Sequence, residues 1–213
     1  MSNDTNPTVF NTIEEALTAI RQGEMVMVVD DDDRENEGDL IMAASKATPE
    51  AVAFMIRHTS GILCKPILQE QAVKLHLDPM VSRNDAPMST AFTVSIDYKE
   101  GLTTGISAEE RAATTQALTN SNVSADDFVR PGPIFPLVGR QGGVLVRSGH
   151  TEAGTDLATL AGLPPVGLLA ELVNDDGTVQ RLPELMAFSR EHNLKIITIA
   201  DLIAYRQQRE QLV

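Results

Sequence analysis

Cys64 is the only cysteine in this 213-residue chain, which excludes an intrachain disulfide and any zinc site built from a cysteine cluster. Positive charge is also scarce. Seventeen Lys and Arg face thirty Asp and Glu, a formal charge of −13 that argues against nucleic acid and against an anionic membrane surface. No apolar run approaches the length of a membrane span. The opening Met1-Ser2-Asn3-Asp4-Thr5-Asn6-Pro7 lacks the basic and apolar regions of a signal peptide. A cytoplasmic protein is expected. Apolar content of 42% and this length suffice for one well-filled core. A negatively charged substrate would need a local device, either a metal or a small group of arginines and backbone N–H groups.

What the chain has in abundance is carboxylate at one place. Asp30-Asp31-Asp32-Asp33-Arg34-Glu35-Asn36-Glu37-Gly38-Asp39 follows Met25-Val26-Met27-Val28-Val29, a run with the length and β-branched content of a buried strand. Carboxylates crowded at a strand end repel one another unless a cation shares the site. Hard divalent ions such as Mg²⁺ take oxygen ligands, and Arg34 within the run suits a substrate phosphate or carboxylate. The competing reading is a solvated acidic turn. An EF-hand loop fits poorly, because Gly38 is not where such a loop places its glycine.

Helices and strands alternate without a Gly-, Ser- or Pro-rich linker, which predicts one domain. Thr12 with Glu15 is a capping box, and Gly23 ends that helix. Thr48 followed by Pro49 opens a helix to about His58. Ser107 with Glu110 opens a helix over 108–120, one follows Pro183 to about His192, and Thr198 with Asp201 opens the last. Strands are predicted at 40–44, 62–67, 91–97, 144–147, 166–172 and 195–199, with Asn174-Asp175-Asp176-Gly177 turning a hairpin into 179–182. This order predicts a mixed sheet packed between helices.

A second constellation lies at Arg147-Ser148-Gly149-His150-Thr151-Glu152-Ala153. With a strand ending at Arg147 and a helix beginning near Thr151, free N–H groups, an arginine and a hydroxyl would cradle a phosphate. His150 offers an imidazole to a metal, or serves only as a capping or packing residue. Glu171 sits in the apolar run Gly167-Leu168-Leu169-Ala170-Glu171-Leu172-Val173; it is either a functional buried carboxylate or a side chain that strand alternation turns outward.

Together, Asp31-Asp32-Asp33-Arg34-Glu35-Asn36-Glu37-Gly38-Asp39, Thr90-Ala91-Phe92-Thr93-Val94-Ser95, Arg147-Ser148-Gly149-His150-Thr151-Glu152-Ala153 and Glu171-Leu172-Val173-Asn174-Asp175-Asp176-Gly177 resemble 3,4-dihydroxy-2-butanone 4-phosphate synthase. The resemblance spans about residues 12 to 205. It implies an α+β, single-domain three-layer α/β/α sandwich with a mixed twisted sheet, over 1–213 with a core at about 12–205. It also implies conversion of D-ribulose 5-phosphate to 3,4-dihydroxy-2-butanone 4-phosphate and formate in riboflavin biosynthesis, with Mg²⁺ or Mn²⁺, by a homodimer whose sites lie near the subunit interface. Under it, Glu35 and His150 are the metal ligands, Arg34 and Asp39 meet the sugar phosphate, Arg147, Ser148, Gly149, His150 and Thr151 wrap its phosphate, and Glu171 with Glu35 is catalytic. Some members carry GTP cyclohydrolase II at the C-terminus; one cysteine cannot supply that enzyme's zinc site, so a single function is expected.

One departure stands out. Members normally read Arg-Pro-Gly-His, the histidine being regarded as a catalytic acid/base, whereas this chain reads Arg130-Pro131-Gly132-Pro133-Ile134-Phe135-Pro136. Proline carries no transferable proton. Three readings stay open. Another group such as His58 or a metal-bound hydroxide takes over, the chain is a slowed or altered form, or it is a paralogue that binds sugar phosphate without turnover. Asp85-Ala86-Pro87-Met88-Ser89 varies among members and bears on specificity. Cys64 is either a buried inert thiol or an oxidisable one lining the site, His76 and His192 read as surface or packing residues, and the stretch Thr103-Thr104-Gly105-Ile106-Ser107 is a further candidate for the pocket wall.

Overall fold

The computed structural model describes residues 9–210; the leader-free reading of residues 1–7 lies outside them. Seven helices, α1 (Ile13–Gln22), α2 (Pro49–His58), α3 (Gln69–Lys74), α4 (Ala108–Ala117), α5 (His150–Leu160), α6 (Leu182–Glu191) and α7 (Ile199–Glu210), surround one sheet. Its strands are β1 (Val26–Val29), β2 (Gly38–Ala43), β3 (Cys64–Ile67), β4 (Ile96–Tyr98), β5 (Phe128–Val138), β6 (Gly167–Glu171) and β7 (Lys195–Thr198). They lie in the order β4-β5-β3-β6-β2-β1-β7. The sheet is mixed: β1 with β7 and β3 with β5 run parallel, and the other neighbours antiparallel.

Strand alternation divides the core in two. Met27, Leu40, Met42, Leu168, Ala170 and Ile196 face one way, onto Val52, Met55, Ala112, Leu185 and Phe188 of α2, α4 and α6. Val26, Val28, Ile41, Ala43, Cys64, Leu169 and Ile197 face the other, onto Ala16, Leu17 and Ile20 of α1, Ala153 and Leu157 of α5 and Leu202 of α7. Both faces of β1 and β2 are covered, which explains their continuous apolar runs. This is the expected three-layer sandwich.

Local chemistry sets the helix starts. The Thr12–Glu15 capping box is formed in both directions, the Thr48 hydroxyl accepts from the Ala51 N–H, and the Ser107 hydroxyl accepts from the Glu110 N–H. The hairpin arm expected at 179–182 comes to a single Val173–Val179 bridge before α6 begins at Leu182, and two further strand expectations fail. Residues 144–147 are not a strand: Gly143–Leu145 is a 3₁₀ turn, entered through Gly142 and Gly143 at positive φ, with the Val144 N–H held by Asp156. Of 91–97, only the end enters β4, while Phe92 and Thr93 make isolated bridges. The sequence reading also missed β5, whose three prolines argue against a strand.

One core position defies the pattern. Lys65 in β3 is fully buried where alternation calls for an apolar residue, and among the described residues the Leu63 carbonyl at 3.3 Å is the one acceptor its Nζ reaches. Burial pulls its pKa from 10.5 down to about 7. Between those values the unfolded chain binds more protons at this site than the native one. Stability therefore rises with pH through the window, and the penalty is complete below it. Lys65→Met should raise the unfolding free energy at pH 7 by about 2–4 kcal/mol and abolish this group's share of the rise. Urea denaturation of both proteins at pH 7 and pH 9 checks it; a less stable variant at pH 7 would contradict the assignment.

Candidate active site

The sheet brings three strand ends and one helix start together. Val28, Asp39 and Glu171 lie abreast on β1, β2 and β6, and the loop joining β1 to β2 carries Arg34 and Glu35. Asp39 and Glu171 share the sheet face of Ile41 and Leu169, the face covered by α5. The first residue of α5 is His150.

Asp30 organises the loop. Its buried carboxylate accepts from the Glu35 N–H at 3.0 Å, the Glu37 N–H at 2.9 Å and Arg34 Nη1 at 3.0 Å. Glu35 is thereby turned inward, with Oε2 3.3 Å from His150 Nδ1 and 3.0 Å from Arg34 Nη1. His150 Nε2 lies 3.0 Å from the Val28 carbonyl, which can only accept. That contact keeps a proton on Nε2, so that Nδ1, which donates to Glu35 when protonated, would offer its lone pair to an ion on losing that proton, the arrangement usual for a metal-bound histidine. Two adjacent ligands of an octahedral Mg²⁺ stand about 3 Å apart. Asp30, Glu35 and His150 each offer a ligand atom within 4.8 Å of the others. The donor set of two carboxylates and one imidazole fits a hard divalent cation.

The electrostatics are those of a site short of positive charge. A hydrogen bond from His150, with the charges of His150 and Arg34, holds Glu35 down at about 2 against the effect of burial. Burial pushes Asp39 up to about 8, and its Oδ1 has no hydrogen-bond partner. Burial opposes charge on His150, but Asp39, Glu35 and Asp30 outweigh it and raise the imidazole to about 9. Burial, then Glu35 and Glu171, raises Glu37.

The anion side is built from α5. Its N-cap is Gly149, which supplies no side-chain cap, so the first N–H groups of the helix remain open to an anion. A Cβ at Gly149 would stand 2.2 Å from Arg147 Nη1 and 2.8 Å from Glu152 Oε2, so glycine alone permits this packing. Arg147 is held at the rim by Glu152 at 2.6 Å and by the Met88 carbonyl at 3.0 Å. A cavity of about 100 Å³ is lined by Arg34, Glu35, Glu37, Asp39, Cys64, Thr90, Phe92, Arg147, His150, Thr151 and Glu171, with Leu137 and Leu169. A larger hollow, about 490 Å³, adjoins it across Phe92 with Arg140 as its one charged lining residue. The chemistry belongs to the smaller.

Arg34, Glu35, Asp39, Arg147, His150, Thr151 and Glu171 thus converge, while Ser148 and Gly149 shape the turn behind them. Three residues went unnoticed as organisers: Asp30 within the acidic run; Ser60, whose hydroxyl donates to Glu171 Oε2 at 2.7 Å; and Arg181. Cys64 lines the cavity yet is buried, with burial and Glu171 pushing its thiol up to about 12, which favours the inert reading over the oxidisable one. His58 is not at the site; it packs in a ring cluster with Phe54, Phe188 and His192, where burial and then the charges of His192 and Arg57 lower its pKa. Thr103, Thr104 and Ser107 line a separate hollow near Tyr98 and Glu110. Pro133 lies on β5 outside the cavity wall.

A mixed-sheet sandwich whose acidic loop, imidazole and open helix start share one pocket defines a class: proteins equipped for a divalent cation beside a phosphate-sized anion. The chain belongs to the 3,4-dihydroxy-2-butanone 4-phosphate synthase family, whose profile matches residues 14–205. It is 57% identical over 206 residues to the riboflavin biosynthesis protein RibBA of Aquifex aeolicus, covering 96% of this chain and 51% of that one. It is 55% identical to the bifunctional riboflavin biosynthesis protein RIBA 1, chloroplastic, of Arabidopsis thaliana, covering 96% and 38%. The chain thus spans about half or less of these curated relatives. A crystal structure of 3,4-dihydroxy-2-butanone 4-phosphate synthase in complex with two magnesium ions superposes with a TM-score of 0.91 at 42% identity, covering 94% of this chain and 99% of that one. The Candida albicans synthase superposes at 0.87 with 48% identity, covering 93% and 98%.

Proposed function

We propose that this chain is a lyase of riboflavin biosynthesis, converting D-ribulose 5-phosphate to 3,4-dihydroxy-2-butanone 4-phosphate and formate with Mg²⁺ or Mn²⁺. The observation that carries the reading is the meeting of Glu35 and His150, 115 positions apart in sequence, at 3.3 Å beside the open start of α5. Family membership supports the substrate. Glu35 and His150 would hold the ion, which when bound polarises the substrate carbonyl and eases loss of the neighbouring proton. Arg34, Arg147, the Thr151 hydroxyl and the first N–H groups of α5 would bind and orient the phosphate. Asp39, with an unpartnered oxygen on the cavity wall, would accept a substrate hydroxyl. Glu171, set by Ser60, would take the proton. The proposal includes one domain over about 12–205 and a cytoplasmic setting; among the described residues no helix is long and apolar enough to cross a membrane. It also includes a homodimer, with a second copy covering the exposed apolar side chains of Ile62, Met88 and Val146 beside the site.

A formate-release assay with ribulose 5-phosphate and Mg²⁺ tests the activity. The alternative is a catalytically impaired variant, or a paralogue that binds sugar phosphate, because Pro133 stands where the resemblance implies a histidine. The match over 96% of the chain to a relative named for riboflavin biosynthesis favours turnover. Pro133→His should change the rate by less than about tenfold. A larger rise, or no product from the unaltered chain with ligand binding retained, would favour the alternative.

A further inference from the structure

Arg181 is the N-cap residue of α6, and its guanidinium reaches across 146 positions of sequence to the acidic loop. Nη1 donates to the Glu35 carbonyl at 3.0 Å and also to the Asn36 carbonyl. Among the described residues, these two consecutive carbonyls have no other hydrogen-bond donor. They point to one donor because Asn36 adopts a left-handed conformation, φ 54°. The same helix seals the loop a second time, since Leu185 packs so closely on Gly38 that a Cβ there would fall 2.6 Å from its methyls.

We propose that Arg181 is a positioning residue for the cation site. Anchoring the peptide groups on both sides of Asn36 fixes the direction in which the Glu35 side chain leaves the backbone, toward His150 Nδ1. The backbone amides of Glu35 and Glu37 are tied to Asp30 from one side, and the carbonyls of Glu35 and Asn36 are tied to Arg181 from the other. The loop is therefore gripped through donors and acceptors alike, and Glu35 projects into the pocket between them. Arg181 touches neither ion nor substrate in this account.

This inference rests on the metal-site reading, so the test separates the two. Mn²⁺ affinity is measured without substrate, by the electron paramagnetic resonance signal of the free ion, for the unaltered chain, Glu35→Ala, Arg181→Ala and Arg181→Lys. Glu35→Ala should lose measurable binding, Arg181→Ala should bind about 10–100-fold more weakly, and Arg181→Lys should recover part of the loss. In formate release, Arg181→Ala should need more metal while keeping most of its rate at saturating metal. The α6 cap survives in these variants, because the Glu184 carboxylate accepts from the Arg181 backbone N–H. If Arg181→Ala binds Mn²⁺ as the unaltered chain does, the positioning role is wrong. If Glu35→Ala binds it as well as the unaltered chain, the metal site itself is wrong. Should Arg181→Ala fail to fold, Arg181→Lys decides: unchanged affinity overturns the proposal, and a loss upholds it.

Discussion

Glu35→Ala should leave formate release insensitive to Mg²⁺ and reduce it by at least about a hundredfold. The side chain is one of the protein groups proposed for the ion, and a bound cation contributes several kcal/mol of charge stabilisation, at tenfold per 1.36 kcal/mol. The fold should survive. Glu35 is partly exposed on a loop, and its ion pair with Arg34 is redundant with the pair between Arg34 and Asp30. Circular dichroism and a metal titration on the same preparation separate loss of the ion from loss of structure. An unchanged titration would remove Glu35 from the site.

Glu171→Gln should fail differently. The amide keeps an oxygen for the Ser60 hydroxyl and so preserves the local hydrogen bond, but it cannot take a proton. The rate constant should fall by about 10²–10⁴ while the apparent metal affinity changes by no more than a few-fold. If strand alternation merely turned Glu171 toward solvent, the variant would keep its rate. The pattern across both variants is the informative result, since metal dependence vanishes in one and persists in the other.

The sequence announced elements wherever the signal is local. Capping residues at Thr12, Thr48 and Ser107 act within one turn, and the buried strands β1, β2 and β6 are dense in β-branched and aliphatic side chains. It misled where tertiary contacts decide. Strand β5 tolerates Pro131, Pro133 and Pro136 because it changes partner along its length: its first part and Ile134 pair with β4, and Phe135 to Val138 pair with β3. A register shift in β4 between Ile96 and Asp97 accommodates the proline-rich middle. Val144-Leu145-Val146 is too short for periodicity to tell a strand from a turn, and the two preceding glycines and Asp156 decide for the turn.

The same division holds at the site. Glu35, Asp39, His150 and Glu171 stood out because charge in or beside an apolar strand, or at a helix start, is chemically costly wherever it occurs. Ser60 and Arg181 carry no such mark. Each is an ordinary polar residue until the chain folds, and their partners lie 111 and 146 positions away. Asp30 was hidden differently, among neighbours of the same kind; its buried carboxylate and its hydrogen bonds to Arg34, Glu35 and Glu37 distinguish it from Asp31 to Asp33.

The most direct test of the central claim is anomalous diffraction from crystals of this chain grown with Mn²⁺. The account predicts one strong peak bonded by both Glu35 and His150 at the start of α5. A fully occupied ion bound without either side chain, or an empty pocket at saturating Mn²⁺, would contradict it.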